Sequence, residues 1–282
     1  MQIQIVSDTH VEFWDQKEKF NFIKPAAPIL ALLGDIGCCG DDTDFARYKM
    51  FINELLPHYE HILIVTGNHE YYYNGTRPTA ANTMDAVDAR IREFCKTSRK
   101  LHFLNNTCAK IVIGAKTYHF VGTTLWSWIP DEIKDKVKER MSDYSHIYVS
   151  TASPAETKLG LTGRTAVRGA VRRLEPADVS AMFVRNAKYL KAQIIKAKKS
   201  KHNLIIFTHH KPYISLTKRP MWLNSAYESN LKMLITPPVS LWAYGHTHIR
   251  DKCTIHGVKV YSNPRGYPYE KTNFNNCESV SL

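Results

Sequence analysis

The chain has 282 residues, which one hydrophobic core can still support, so we expect a single large α/β domain rather than two domains. Its 44% hydrophobic and 23% charged residues are ordinary for a globular protein, and its net charge of +12 suits anionic partners. Its six cysteines include no C-x-x-C pair, which argues against a disulfide framework and favours reduced thiols in an intracellular compartment.

The first ten residues, MQIQIVSDTH, predict a strand that begins almost at the N-terminus, because Ile3, Ile5 and Val6 are apolar. No basic segment followed by an apolar run is present, so we predict no signal peptide. No stretch reaches the roughly 18 continuous apolar residues of a membrane span. We therefore expect a soluble, cytoplasmic protein that does not bind a membrane.

Short apolar runs alternate with helical patterns along the chain. The runs that predict strands lie at 2–7, 29–34, 61–66, 110–114, 117–122, 204–208, 240–244, 253–256 and 258–262. Apolar residues recur at helical spacing between the second and third runs, and again within 80–97. This alternation indicates βαβ units, and hence a largely parallel sheet covered on both faces. The two pairs at 110–122 and 253–262 are joined by GAK and HG and predict hairpins.

Residues 130–185 depart from this pattern because they contain no clear strand. Between 157 and 174, five basic side chains occur without an acidic one: Lys158, Arg164, Arg168, Arg172 and Arg173. We interpret the segment as an insertion over one end of the sheet, with a solvated helical surface as the alternative. A second basic stretch, at 185–202, predicts a helix. The expected organisation is one domain spanning 1–282, with a basic helical insertion at about 130–200.

Five of the predicted strands end in polar residues that can bind a ligand. The motifs are SDTH, LGDIG, TGNHE, FTHH and YGHTH, and each lies at the carboxyl end of its strand. In an open α/β sheet, this is the edge at which ligands bind. Burying so many ionisable groups at one edge is prohibitive without compensation, and metal ions are the natural compensation.

Seven side chains in these motifs can donate oxygen or nitrogen to a metal ion: Asp8, His10, Asp35, Asn68, His209, His246 and His248. If one carboxylate bridges two cations, each cation has four protein ligands and room for a shared water. Imidazole, carboxylate and amide ligands without a thiolate suit Mn, Fe, Zn or Ni better than calcium or a structural zinc site. We therefore expect a catalytic site with two divalent metal ions.

These motifs, in this order and strand context, resemble those of the calcineurin-like metallophosphoesterases. The resemblance extends from residue 1 to about 270, apart from the 130–200 region, and SNPRGYP at 262–268 resembles a turn that closes against the site in bacterial-type members. It implies a metallophosphoesterase-type β-sandwich flanked by helices, with a dimetal site at the carboxyl ends of strands. It also assigns Asp8, His10, Asp35 and His248 to one metal, and Asp35, Asn68, His209 and His246 to the other, which makes Asp35 the bridge.

The ligand count leaves His69 without a metal, and we predict that it is the catalytic general acid. A hydroxide that bridges the two cations would attack phosphorus in line, and a nearby imidazole would protonate the leaving oxygen. Glu70 is expected either to orient that imidazole or to act in N-capping. The YYY sequence at 71–73 is expected to form packing and pocket wall.

The resemblance implies a hydrolase of small phosphoesters, with phosphodiesters such as nucleotides as the favoured substrates. Cys38 stands where purple acid phosphatases carry a tyrosine, and the Asp-Arg-Gly of protein Ser/Thr phosphatases is absent, which argues against both subfamilies. One alternative is a metal-dependent nuclease, which the net charge and the basic stretch at 185–202 favour. Another is a non-catalytic scaffold, which the complete ligand set disfavours. The sequence leaves the oligomeric state open.

Overall fold

The computed structural model describes residues 1–14, 21–151, 171–215 and 219–282. The strands in these ranges are β1 (Gln2–Val6), β2 (Ile29–Leu33), β3 (His61–Val65), β4 (Leu101–Phe103), β5 (Thr107–Ile113), β6 (Lys116–Thr123), β7 (Tyr148–Ser150), β8 (Val171–Arg173), β9 (Asn203–Thr208), β10 (Val239–Tyr244), β11 (Asp251–Ile255), β12 (Val258–Ser262) and β13 (Ser279–Ser281). The α-helices are α1 (Asp42–Leu55), α2 (Met84–Cys95), α3 (Lys134–Arg140), α4 (Asp143–His146), α5 (Pro176–Ser200) and α6 (Met221–Asn224).

Most of the strands form two mixed sheets. The first has the order β13-β1-β2-β3-β4, with β1 to β4 parallel and β13 antiparallel at the edge. The second has the order β11-β12-β10-β9-β6-β5, in which four parallel strands lie between two antiparallel edge strands. Strands β7 and β8 pair with each other in a separate ribbon.

Alternating side chains along the central strands point to two different cores. Ile5 of the first sheet and Phe207 of the second belong to one buried cluster between the sheets. Their neighbours face outward, so that Leu32 packs with residues of α1 and α2, and Ile206 packs with residues of α5. Because both faces are buried at the centre of each sheet, β2, β3 and β9 are nearly continuous apolar runs, whereas the edge strands β5 and β11 are partly exposed. This β-sandwich flanked by helices confirms the predicted fold class.

The nine predicted strands and both predicted hairpins are present, with shifted ends. Four further strands of three residues each were not predicted: β4, β7, β8 and β13. The expectation that 130–185 lacks strands is therefore wrong for Tyr148–Ser150 and Val171–Arg173. Three residues carry too little periodicity to be recognised, and their pairing depends on partners that are distant in sequence.

The helix predicted at 185–202 begins nine residues earlier, at Pro176, and ends at Ser200. A capping box formed by Glu175 and Asp178, with proline at the first turn, defines its start. Its buried face includes Leu190 and packs along the outer face of the second sheet. The basic residues Lys158, Arg164 and Arg168 lie outside the described residues. The insertion at 130–200 stays a prediction. None of the described helices is long and apolar enough to cross a membrane.

Candidate metal centre

The carboxyl ends of five strands, β1, β2 and β3 of the first sheet and β9 and β10 of the second, meet at one edge of the sandwich. All seven predicted metal ligands and His69 lie there. Each of these side chains is buried except that of His248, which is 15% exposed. The structure therefore brings together every residue that the motifs singled out.

Five of the predicted ligands have a left-handed backbone conformation. Asp8, His10, Asp35, His246 and His248 have φ values between 47° and 66°. For residues other than glycine this conformation costs of order 1–3 kcal/mol each, and it persists where the surroundings impose it, commonly at functional sites. The chain turns sharply at the end of each strand and thereby directs these side chains toward one another.

Two glycines in the motifs leave room for the ligands. Gly34 has a φ of 85°, and a Cβ atom at this position would collide with the imidazole of His209. A Cβ atom at Gly67 would collide with the carboxylate of Asp35. Close packing of the ligands against the backbone accounts for glycine immediately before Asp35 and Asn68.

The first group of ligand atoms belongs to Asp8, His10, Asp35 and His248, whose atoms lie within 4.8 Å of one another. Nε2 of His10 is 3.2 Å from Nε2 of His248 and 3.9 Å from Oδ2 of Asp35. Nε2 of His248 is 3.4 Å from Oδ1 of Asp8. Two imidazoles and two carboxylates thus face a common point.

The second group is formed by Asp35, His209 and His246, again within 4.8 Å. Nε2 of His209 lies 3.1 Å from both Nδ1 of His246 and Oδ1 of Asn68. It also lies 3.3 Å from Oδ2 of Asp35. Asp35 belongs to both groups. A ligand that bridges two metal ions must lie between them, and Asp35 has this position.

Hydrogen bonds on the outer side of the histidines determine which nitrogen faces inward. Nδ1 of His209 donates to the carbonyl oxygen of Leu33 at 2.8 Å, and Nδ1 of His248 lies 2.5 Å from Glu270. Nδ1 of His10 is 3.1 Å from Glu12. A carbonyl or carboxylate can only accept, so each outer nitrogen carries a proton, and the inner nitrogen is the one that can offer a lone pair to a metal ion when the ring is neutral.

The amide of Asn68 is oriented in the same way. Its Nδ2 donates to Oδ1 of Asp143 at 2.8 Å, which leaves Oδ1 of Asn68 facing the second group. The inward atoms are therefore carboxylate oxygens, imidazole lone pairs and an amide oxygen, all of them acceptors. Such atoms repel one another unless positive charge lies among them. The donor set thus fits two divalent cations.

The electrostatics of the site favour positive charge at its centre. Burial alone would raise the pKa of Asp35, but the neighbouring imidazoles of His209 and His69 hold this pKa well below its usual range. For His209, burial acts against the charged form, yet Asp35 raises the pKa of the imidazole to about 9. A metal ion and a proton compete for the same nitrogen, so the field that attracts one also attracts the other.

His69 lies beside the two groups, with both ring nitrogens directed elsewhere. Its Nδ1 is 2.9 Å from Oε1 of Glu12, and its Nε2 is 3.2 Å from the hydroxyl of Tyr267. The ring stacks on Tyr72 at a centroid distance of 4.2 Å. Burial opposes a charge on His69, but Asp35 and Glu12 raise its pKa to about 9.

Of the two roles expected for Glu70, orienting His69 is wrong. The Glu70 carboxylate instead accepts three backbone hydrogen bonds, from the N–H groups of Gly67 at 2.6 Å and of Asp35 and Ile36 at 2.9 Å each. It joins the loop after β2 to the loop after β3. Burial, together with the charge on Asp35, raises the pKa of Glu70 to about 8. Glu70 therefore supports the loops that carry the ligands.

Three acidic residues that contact the site were not predicted: Glu12, Asp143 and Glu270. Each accepts a hydrogen bond from the side-chain nitrogen of a predicted metal ligand that points away from the ligand groups. Glu270 comes two residues after the end of SNPRGYP, so the expected closure of this turn against the site pointed to its neighbourhood. Glu12 and Asp143 had no recognisable signal.

A cavity of about 920 Å³ opens over the ligand atoms. Its walls include two arginines and several aromatic rings: Arg140, Arg219, Phe13, Tyr72, Tyr227, Tyr267 and Tyr269. The guanidinium of Arg219 lies 4.0 Å from the ring centre of Tyr227, and that ring stacks on His246 at 4.8 Å. Cationic groups beside a candidate metal centre suit an anionic substrate.

The sandwich and its site define a metal-dependent phosphoric ester hydrolase. A model of the calcineurin-like phosphoesterase family matches residues 1–250, and the chain belongs to that family. The uncharacterized protein L509 of Acanthamoeba polyphaga mimivirus is 28% identical over 296 residues, which cover 97% of this chain and 94% of that protein. The crystal structure of a phosphopantetheinyl hydrolase from Mycobacterium tuberculosis is similar in fold, with a TM-score of 0.66 and 16% identity over 95% of this chain and 90% of that chain.

Proposed function

We propose that this protein hydrolyses phosphodiesters in a reaction that requires two divalent metal ions and uses His69 as the general acid. The observation that carries the proposal is the convergence of two groups of acceptor atoms that share Asp35, with His69 beside them. Bound divalent cations supply Lewis-acid activation of the attacking water and neutralise charge on the phosphoryl group.

The assignment of ligands follows the two groups. Asp8, His10, Asp35 and His248 hold one ion, and Asp35, Asn68, His209 and His246 hold the other. The mixture of imidazole, carboxylate and amide oxygen favours Mn, Fe, Zn or Ni. The hydrogen bonds to Leu33, Glu12, Glu270 and Asp143 keep the ligands oriented when the ions are bound.

His69 donates the proton to the leaving oxygen. Its Nδ1 is held by Glu12, so Nε2 is the nitrogen available to a substrate in the cavity. The Tyr267 hydroxyl lies 3.2 Å from this nitrogen and lines the same cavity. General acid catalysis of this kind contributes about 10²–10⁴-fold to the rate.

The cavity supports a small diester as substrate. Its volume of about 920 Å³ leaves room for both ester groups of a molecule such as a dinucleotide. Arg140 and Arg219 line it and supply positive charge, while the exposed rings of Phe13 and Tyr269 offer a surface on which a flat group can stack.

A metal-dependent nuclease is the second candidate, because the chain carries a net charge of +12 and α5 exposes several lysines. The last of these, Lys196, Lys198 and Lys199, lie where α5 ends, four to seven residues before β9 begins at Asn203. The six residues of β9 then extend about 20 Å to the metal edge. A basic patch this far from the site favours the small-diester hydrolase over the nuclease.

The test is a screen of purified protein reconstituted with Mn²⁺, Fe²⁺, Zn²⁺ or Ni²⁺, using bis-p-nitrophenyl phosphate beside p-nitrophenyl phosphate. We expect a preference for the diester. A strong monoester preference would overturn the proposed substrate class. Faster cleavage of a single-stranded oligonucleotide, with a steep loss at higher salt, would favour the nuclease. If no metal supports hydrolysis of either ester or of the oligonucleotide, the result would favour the interpretation of the protein as a non-catalytic scaffold.

The role of His69 is tested separately with His69→Ala. We expect both metal ions to remain, because the seven ligands are unchanged, and the rate on alkyl esters to fall about 10²–10⁴-fold. Esters of p-nitrophenol need little protonation and are expected to lose less. Equal losses on both ester types would mean that His69 acts on the phosphoryl group, and a missing metal would make His69 a ligand.

A further inference from the structure

We propose that Glu12 is a positioning residue that orients the general acid and one metal ligand through a single carboxylate oxygen. Its Oε1 lies 3.1 Å from Nδ1 of His10 and 2.9 Å from Nδ1 of His69. The inference rests on the proposed function, since it assigns a partner to the residue that donates the proton. It adds a direct physical link between the first metal group and the acid.

The position of Glu12 is well defined by its surroundings. The residue lies in a 3₁₀ turn, Val11–Phe13, that directly follows the SDTH motif. Its backbone carbonyl accepts a hydrogen bond from Arg47 at 2.6 Å, and its side chain is only 7% exposed. The rings of His10 and His69 meet edge to face at a centroid distance of 4.4 Å, which allows one oxygen to reach both.

The chemistry follows from which nitrogen keeps its proton. A carboxylate at Nδ1 stabilises the proton on that nitrogen, so the opposite nitrogen, Nε2, is the one directed into the site. In His10, Nε2 faces His248 and Asp35. In His69, Nε2 faces the cavity and the Tyr267 hydroxyl. One acidic side chain thus orients a metal ligand and a proton donor together.

Glu270 is a matched control within the same site. It accepts from Nδ1 of His248 at 2.5 Å and from the backbone N–H of Tyr267 at 3.0 Å, and among the described residues its imidazole partner is His248 rather than His69. Removing Glu270 therefore disturbs a ligand of the first metal group without removing the orienting partner of the acid. A change in ester preference that is specific to Glu12 and disappears without His69 can therefore be assigned to the contact between these two residues.

The kinetic experiment uses Glu12→Ala, Glu12→Gln and Glu270→Ala, each alone and combined with His69→Ala, at saturating Mn²⁺. For each protein the rate on a methyl p-nitrophenyl diester is compared with the rate on a dialkyl diester. We expect Glu12→Ala to lower the dialkyl rate about 10- to 100-fold more than the aryl rate, with partial rescue in Glu12→Gln, which keeps an oxygen acceptor. Glu270→Ala should lower both rates equally. In the His69→Ala background, Glu12→Ala should no longer change the ratio.

A second readout does not depend on activity. In Zn²⁺-loaded protein, ¹H–¹⁵N spectra of the imidazoles are expected to place a slowly exchanging proton on Nδ1 of both His10 and His69, and to lose both signals in Glu12→Ala. Wild-type protein that lacks these protons would overturn the proposal, even if a variant fails to fold. So would an unchanged ester ratio in Glu12→Ala, or a ratio change that persists without His69.

The atoms of His10, Glu12 and His69 also lie within 4.8 Å of one another, which is compatible with a metal ion. A third equivalent of bound metal that disappears in Glu12→Ala would replace the positioning role by a ligand role and overturn the proposal. The failure of the proposed function is distinct from these outcomes. In that case the wild type hydrolyses neither ester, while the imidazole spectra still report whether Glu12 holds both rings.

Discussion

Glu70→Ala removes a carboxylate that supports the metal-binding loops without itself facing the metal groups. Glu70 is fully buried and accepts hydrogen bonds from the backbone N–H groups of Gly67, Asp35 and Ile36. Alanine leaves these three donors without their acceptor at the junction of the two loops. We expect a large loss of stability. We also expect weaker metal binding, because Asp35 and Asn68 lie on the two loops that Glu70 holds together.

The magnitude follows from the number of donors. A buried N–H without an acceptor costs about 1–3 kcal/mol, so three of them cost about 3–9 kcal/mol. A typical folded domain is stable by only about 5–15 kcal/mol. Glu70→Gln can keep two of the three hydrogen bonds, those of Gly67 and Asp35, through its remaining oxygen, and should lose about 1–3 kcal/mol.

Thermal unfolding of the metal-free proteins measures this loss, with Glu93→Ala as the control. Glu93 is exposed and pairs with Lys96, which directly follows α2, so its removal should change stability by at most about 0.5 kcal/mol. At roughly 2–4 °C per kcal/mol, we expect Tm to fall by about 6 °C or more in Glu70→Ala. Glu70→Gln should lie between it and wild type. Equal Tm values for Glu70→Ala and Glu93→Ala would refute the role assigned to Glu70.

Three further substitutions test the site and its surroundings. Asp35→Asn should abolish activity and lower the content of both metals, and full metal occupancy in this variant would show that Asp35 is not the bridge. Asp143→Ala should weaken metal binding about 10- to 100-fold by releasing the Asn68 amide, with activity restored by excess metal; unchanged affinity would contradict this role. Replacing the lysines at the end of α5 with serine should leave hydrolysis of a small diester within about twofold at physiological salt, and a large loss in a folded variant would make α5 part of the site. The lysines are Lys196, Lys198 and Lys199.

The candidate metal ligands were predictable because each lies just beyond the end of a strand. Asp8, Asp35 and Asn68 come at the ends of buried apolar runs, and parallel strands bring such ends to one edge. The glycines before Asp35 and Asn68 added a second local signal. Both patterns are local in sequence, and the structure places these side chains close together at one edge of the sandwich.

The residues that orient the ligands were not predictable, because their contacts join distant parts of the chain. Glu12 lies in a short 3₁₀ turn and meets His69 across 57 residues, and Asp143 meets Asn68 across 75 residues. The strand β13 likewise depends on pairing with β1 from the other end of the chain. In each case the local sequence has no periodicity that identifies the partner, and tertiary packing decides the contact.

Titration of metal-free protein with Mn²⁺ tests the central claim most directly, with the rate of bis-p-nitrophenyl phosphate hydrolysis and the bound metal measured on the same samples. Two ions per chain are expected, because two groups of ligand atoms share Asp35. The rate should therefore rise with metal content until two equivalents are bound, and Asp35→Asn should reach neither the full content nor the rate. Full activity of the wild type with one bound ion, or with none, would contradict the account.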